Sequence, residues 1–193
     1  MILLASGCLR EEESLPDMEI KPYHGEMPEV LSAMQGAVVQ AIIRVGGATG
    51  DAAIRPGRSG ISGDAADAIL EGLAASDPSA VYTYAFDRNG TILAAAPRPF
   101  RSLVGERAGD LTGHEGSFDH PVMSGLSLVP DAGYVAVIEY PVYSEDGVVV
   151  GIAFSPDRLV APCAESALRN TPYTAMGAQT DGRILYDPDT EEV

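Results

Sequence analysis

The chain has 193 residues, with 28 acidic side chains against 12 basic ones and a formal net charge of −16. A field of that sign repels phosphate backbones and anionic lipid surfaces, which argues against nucleic-acid binding. With 46% hydrophobic residues the chain can bury the core of one full domain plus a fragment.

Residues 1–8, Met1-Ile2-Leu3-Leu4-Ala5-Ser6-Gly7-Cys8, form a short apolar run that ends in small residues and a cysteine. It resembles a prokaryotic lipoprotein box, in which the cysteine carries the lipid. Three readings stand: lipidation of Cys8, a clipped membrane or signal segment, and a buried structural cysteine. Cys8 and Cys163 are the two cysteines, and neither has a partner at metal-ligand spacing. Residues 9–25, with Glu11-Glu12-Glu13, Pro16 and Pro22, read as a solvated spacer. No run of ~20 apolar residues is visible, so no bilayer-spanning segment is expected.

Met27, Val30, Leu31, Met34, Val38, Ala41, Ile42 and Val45 recur at three- and four-residue steps, which predicts a helix over residues 27–48. Pro28 suits its first turn, and Gly46, Gly47 and Gly50 are expected to end it. This long helix is also the candidate contact of a homodimer. A second helix is expected over residues 64–75, with Ile69, Leu70 and Leu73 inward and Asp77-Pro78 closing it.

Two strand-forming runs, Val81-Tyr82-Thr83-Tyr84-Ala85-Phe86 and Thr91-Ile92-Leu93-Ala94-Ala95-Ala96, flank Asp87-Arg88-Asn89-Gly90. This is a strong hairpin signal, because Asn89 and Gly90 both tolerate positive φ. Residues 98–127 lose strand character but keep Phe100, Leu103, Val104, Phe118, Val122 and Met123, so a loop folded over a sheet face is expected, with a short helix near residues 117–125. Residues 133–143 alternate as a strand, and 148–154 form a nearly continuous apolar run typical of a central strand. A helix is expected over residues 156–170. The hairpin phrase then returns over residues 174–188, with Asp181-Gly182 at the turn and Ile184-Leu185 matching Ile92-Leu93. Residues 171–193 alone lack the strands of an independent sheet.

The order of elements, with several phrases, resembles the extracytoplasmic Cache sensor domains of the double type, which have two PAS-like units. The phrases are Ala80-Val81-Tyr82, Asp87-Arg88-Asn89-Gly90-Thr91-Ile92, Pro97, Leu103-Val104-Gly105, Asp110-Leu111, Tyr140-Pro141-Val142-Tyr143, Asp146-Gly147-Val148-Val149-Val150-Gly151 and Asp181-Gly182-Arg183-Ile184-Leu185-Tyr186-Asp187-Pro188. The resemblance implies an α+β fold: a PAS-like antiparallel sheet with long N-terminal helices, followed by the start of a second PAS-like unit. It implies three parts, a lipobox-like start and acidic tether at 1–26, a membrane-distal unit at 27–161, and a linker helix with the first hairpin of an incomplete second unit at 162–193. It also implies a non-catalytic, extracytoplasmic sensor of an unidentified small molecule, held at the membrane by a lipid anchor or by a transmembrane segment outside this sequence. The Arg-x-Trp-Tyr phrase of the amino-acid-binding members is missing, since the chain has no Trp, and Ser155-Pro156 stands near the position of their strand-closing aspartate.

A sensor pocket needs an apolar wall and a few convergent polar groups. The covering loop offers Arg98, Arg101, His114, Phe118, His120 and Met123; the strand at 133–143 offers Tyr134, Glu139 and Tyr140; the first strand offers Tyr82 and Tyr84. Strand alternation places Tyr134, Ala136, Ile138 and Tyr140 on one face and Val135, Val137 and Glu139 on the other. Glu139 reads either as an acceptor for a ligand donor or as an exposed or paired glutamate on a strand edge. Arg98 and Arg101 either clamp a carboxylate or pair with the chain's own carboxylates. His114-Glu115 and Asp119-His120 lack a helical spacing to converge them on a metal, and neither a metal nor another cofactor is expected. No Gly-x-Ser-x-Gly elbow or phosphate-cradling loop occurs, so an enzyme is not expected. The competing class is a structural or protein-binding module of the cell surface with no small ligand.

Overall fold

The computed structural model describes residues 3–5, 27–55, 63–109, 118–129, 132–143, 147–171, 174–178 and 184–186. Gln40–Leu159 forms one compact unit, and Met1–Val39 with Val160–Val193 the other.

Helix α1 (Met27–Ile54) runs 28 residues, past the glycines expected to end it. The correction has a packing reason. A Cβ on Gly50 would stand 3.0 Å from Cε1 of Tyr140, and one on Gly46 would stand 3.6 Å from that ring's hydroxyl oxygen. The glycines let an aromatic ring approach the helix backbone, which outweighs their poor helix propensity. By length and composition α1 is also apolar enough to cross a bilayer, with a mean hydropathy of 1.3 over an 18-residue window, a test that the core helix of a soluble protein passes as well. Its apolar residues are interrupted by Ser32, Gln35, Gln40 and Arg44, so they form no continuous run. Within the larger unit, Ala41, Val45, Ala52 and Ala53 are buried along it.

Helix α2 (Gly63–Ala74) buries Ala66, Leu70 and Leu73. After it, the carboxylate of Asp77 accepts from the Ser79 amide (2.9 Å), the Ser79 hydroxyl (2.6 Å) and Nε of Arg44 (3.2 Å). Burial alone would push this carboxyl up, but the Ser79 bonds and the Arg44 guanidinium outweigh it and leave it lowered.

Six antiparallel strands make the sheet: β2 (Ala80–Asp87), β3 (Ile92–Ala96), β4 (Val122–Met123), β5 (Ser127–Val129), β6 (Gly133–Pro141) and β7 (Val148–Phe154). Their order is β3-β2-β7-β6-β4, and β5 shares the outer edge of β6 with β4. The apolar run of β7 is central, as expected, and every residue in it is buried. In the first hairpin only Gly90 adopts positive φ (+79°). Asp87 closes that turn by accepting from the amides of Asn89 and Thr91, both at 2.9 Å, so Asn89 needs no left-handed conformation. In place of the helix expected near residues 117–125, the described residues 122–123 form β4. Val122 and Met123 pair with the open edge of β6, and tertiary pairing overrides local propensity.

Two faces result. Thr83, Ala85, Ala94 and Ala96 lie on the side of α2, where the Thr83 hydroxyl donates to the Leu70 carbonyl at 2.8 Å. The opposite face carries Tyr82, Tyr84, Phe86, Ile92, Ala95, Val135, Val137, Val149 and Ala153 in one buried apolar cluster.

In the smaller unit, α3 (Pro156–Leu168) starts in the larger unit and is followed by Asn170 in the left-handed conformation (φ 67°), a common helix stop. β8 (Met176–Ala178) and β9 (Ile184–Tyr186) pair antiparallel, while the expected turn at Asp181-Gly182 lies outside the described residues. The third strand of their sheet is β1 (Leu3–Ala5), paired with β8 as Leu3↔Ala178, Leu4↔Gly177 and Ala5↔Met176. The sheet that residues 171–193 could not complete alone is therefore extended by the apolar start of the chain, a pairing remote in sequence.

Candidate functional site

The site is built on one row across three strands. Tyr84 of β2 stands opposite Gly151 of β7, and Gly151 stands opposite Glu139 of β6. With no side chain at Gly151, the Tyr84 ring lies across β7, where a Cβ would meet its Cζ at 2.7 Å. The Tyr84 hydroxyl thereby reaches Oε1 of Glu139 and donates to it at 2.6 Å. Both residues are fully buried. Burial, and then the Glu139 charge, hold the Tyr84 hydroxyl well above its ordinary pKa.

The next row carries Tyr82, opposite Ala153, which in turn faces Val137. Tyr82 is buried, and its hydroxyl is pushed up to about 12 by burial and by Glu139. Five rings follow one another along this face, Phe100–Tyr82–Tyr84–Phe86–Phe118, with centroid separations of 5.0, 5.7, 5.9 and 5.9 Å. The two end rings come from the connection between β3 and β6, so this strap is pinned to the sheet at both ends of the ladder. Its first part is also held by backbone bonds to β3, with the Ile92 amide on the Glu106 carbonyl and the Gly105 amide on the Ile92 carbonyl, both 2.9 Å. A six-residue 3₁₀ helix, Arg98–Leu103, carries Phe100.

Of the residues that sequence reasoning put forward, the structure brings Tyr84, Tyr82 and Glu139 together, with Phe118 half-buried edge-on to Phe86. It does not bring the others to them. Tyr140 packs on α1 at the opposite face. Met123 pairs with Ile138 and so shares that opposite face, where it is 50% exposed. Tyr134 pairs with Leu128, and both are exposed. Arg98 and His120 are exposed. Arg101 pairs with Asp67 (2.5 Å) and Glu71 (4.0 Å) of α2. His114 and Cys8 lie outside the described residues. Sequence reasoning missed Gly151 and the pinning role of Phe100. A lone glycine inside the apolar run of residues 148–154 was the available signal, since such a glycine marks a close approach.

The groups assembled here are aromatic rings, a buried carboxylate and two tyrosine hydroxyls on the central sheet, with Phe100 and Phe118 of the strap against them. A family described as HK/GC/Chemotaxis protein-like, sensor domain, matches residues 44–155. The chain belongs to this family of sensor domains. No curated protein matches it.

Among solved structures it is similar to an extracellular ligand binding receptor from Desulfohalobium retbaense, with a TM-score of 0.74 and 24% identity over 88% of this chain and 32% of that one. It is also similar to the ligand-binding domain of the Pseudomonas fluorescens chemoreceptor CtaA, solved with L-alanine (TM-score 0.51, 20% identity, 85% of this chain and 70% of that one). The same domain solved with L-isoleucine gives a TM-score of 0.50 and 22% identity, over 87% of this chain and 68% of that one. At these identities the likeness is one of fold, and it supports the expected Cache-type α+β class. The chain spans about a third of the length of the Desulfohalobium receptor.

Proposed function

We propose that the strap face of the six-stranded sheet is the binding site of an extracytoplasmic, non-catalytic sensor of a small molecule. The observation that carries this reading is the set Tyr82, Tyr84 and Glu139, fully buried on one face of the sheet under an aromatic-pinned strap. A core built only for stability gains nothing from a carboxylate there, because desolvating it costs more than its bond to Tyr84 returns. The sensor-domain family and the fold shared with chemoreceptor ligand-binding domains support the same reading. The repeated hairpin is the beginning of a second PAS-like unit, and Cys8 is the lipid attachment point of a surface-anchored receptor component.

A thermal-shift screen of small carboxylates, amines, amides and purines tests the binding role. At least one compound raises the melting temperature in a concentration-dependent way, and silence across the whole library refutes it. Mass spectrometry of the native protein in the membrane fraction tests the anchor, which an unmodified Cys8 rules out.

A second reading, a protein-interaction module, is favoured by the exposed Leu128 (66%) and Tyr134 (40%), paired at the β5–β6 edge. It predicts no shift with any small molecule.

A further inference from the structure

The polar groups of the strap face are not equally provided for. Tyr84 spends its proton on Glu139. The Tyr82 hydroxyl is completely buried and has no hydrogen-bond partner among the described residues. Native chains seldom keep such a group, since a buried donor without an acceptor forfeits its bond to water and gains nothing in return. Replacing this tyrosine by phenylalanine would remove the loss without changing the shape of the core. Its retention therefore points to an acceptor that the described residues do not supply.

Tyr82 sits one row along from Glu139 on the same face, between the rings of Phe100 and Tyr84. We propose that the Tyr82 hydroxyl and the Glu139 carboxylate together read the edge of a flat, uncharged amide or lactam, whose carbonyl accepts from Tyr82 and whose N–H donates to Glu139. This deepens the sensing reading above and rests on it. A donor beside an acceptor is the complement of an amide edge, in which the carbonyl and the N–H stand side by side. The ladder of five rings suits a planar molecule, which stacks at little conformational cost. A hydroxyl pushed up to about 12 holds its proton at neutral pH and acts as a donor. An anionic ligand would bring its charge against the buried Glu139, where like charges repel more strongly than in solvent.

The test uses the full chain and matched probes: benzamide against benzoate, nicotinamide against nicotinate, and uracil. By titration calorimetry, at least one amide or lactam binds ten-fold or more tightly than its carboxylate counterpart, and Tyr82→Phe weakens that binding at least ten-fold. In the ligand-free protein the same substitution leaves the melting temperature equal or raises it, whereas Tyr84→Phe lowers it. Carboxylates that bind as well as amides overturn the proposal, as does binding that Tyr82→Phe leaves unchanged. So does a Tyr82→Phe protein that melts as early as Tyr84→Phe, because the hydroxyl would then already have a partner. If amines or carboxylates of the wider screen bind but no amide or lactam does, this inference falls and the sensing reading stands. If no compound binds at all, both fall.

Discussion

On the helix side of the sheet, close approach is achieved with small side chains. Ala85, Ala94 and Ala96 line the strands, and the polar Thr83 is satisfied by the Leu70 carbonyl. Gly46 and Gly50 do the same for Tyr140 on α1. On the strap side the same strands carry three large rings and a carboxylate, and the glycine there makes room for a polar contact. The helix side keeps its hydrogen bonds local and its volumes matched, as a core built for stability should. The strap side accepts a buried carboxylate and an unmatched hydroxyl. The two faces of the sheet thus differ: one is packed with its polar groups satisfied, the other carries the buried carboxylate and hydroxyl on which the proposed sensing role rests.

The sharpest way to break this contrast is at Gly151. Gly151→Val places a branched side chain where even a Cβ would stand 2.7 Å from the Tyr84 ring. The ring is stacked on Phe86 and tilted against Tyr82, so it cannot yield cheaply. Overpacking of about 3 kcal/mol is expected, measured as a lower urea midpoint. A neutral outcome would show that the ring has somewhere else to go.

Next comes Tyr84→Phe, which keeps the ring but removes a donor from a buried carboxylate. A loss of about 2 kcal/mol is expected by urea denaturation at pH 7. A loss as small as that of a surface substitution would mean the bond to Glu139 is replaced by another donor.

Asp77 offers a pH test away from either face. Its carboxyl lies below the ordinary 3.8 in the folded chain, so the stabilisation it lends is fully present above that value. It is lost as the pH falls through the lowered folded value, once the carboxyl protonates in folded and unfolded chains alike. Urea midpoints from pH 7 down to about 3 should show an acid limb that is shallower in Asp77→Asn, which is also less stable than the wild type at pH 7. Identical acid limbs would remove Asp77 from the account.

The smallest expected effect is a gain. Gly47 is exposed on α1, and nothing lies within 4 Å of the Cβ it would carry. Gly47→Ala should stabilise by about 0.5–1 kcal/mol through helix propensity alone, seen as a higher thermal midpoint. Gly50→Ala, beside Tyr140, should gain less because the ring must shift. Equal gains at the two sites would mean that the ring does not constrain α1.

Much of the architecture was legible along the chain. Periodicities of two and of three to four residues, and the Asp-Arg-Asn-Gly turn, marked the strands, the helices and the first hairpin within a few residues, because these signals are local. Strand alternation also put Glu139 and Tyr140 on opposite faces before any coordinates. Errors arose where a local rule met a distant partner. Gly46, Gly47 and Gly50 looked like a helix stop, yet two of them serve a tyrosine some ninety residues away. Val122-Met123 looked helical until the edge of β6 took it up.

The candidate site was legible only as a set of residue types. Composition and pattern by themselves determined that an acidic scaffold of helices and an antiparallel sheet would form, and that Tyr82, Tyr84 and Glu139 would sit on strands; the sensor class came from the family resemblance. Only the tertiary register decided that Tyr84, Gly151 and Glu139 share one row, because pairing between β2, β7 and β6 is a non-local choice that no short window encodes. That register leaves the Tyr84 hydroxyl bonded to Glu139 and the Tyr82 hydroxyl without a partner among the described residues.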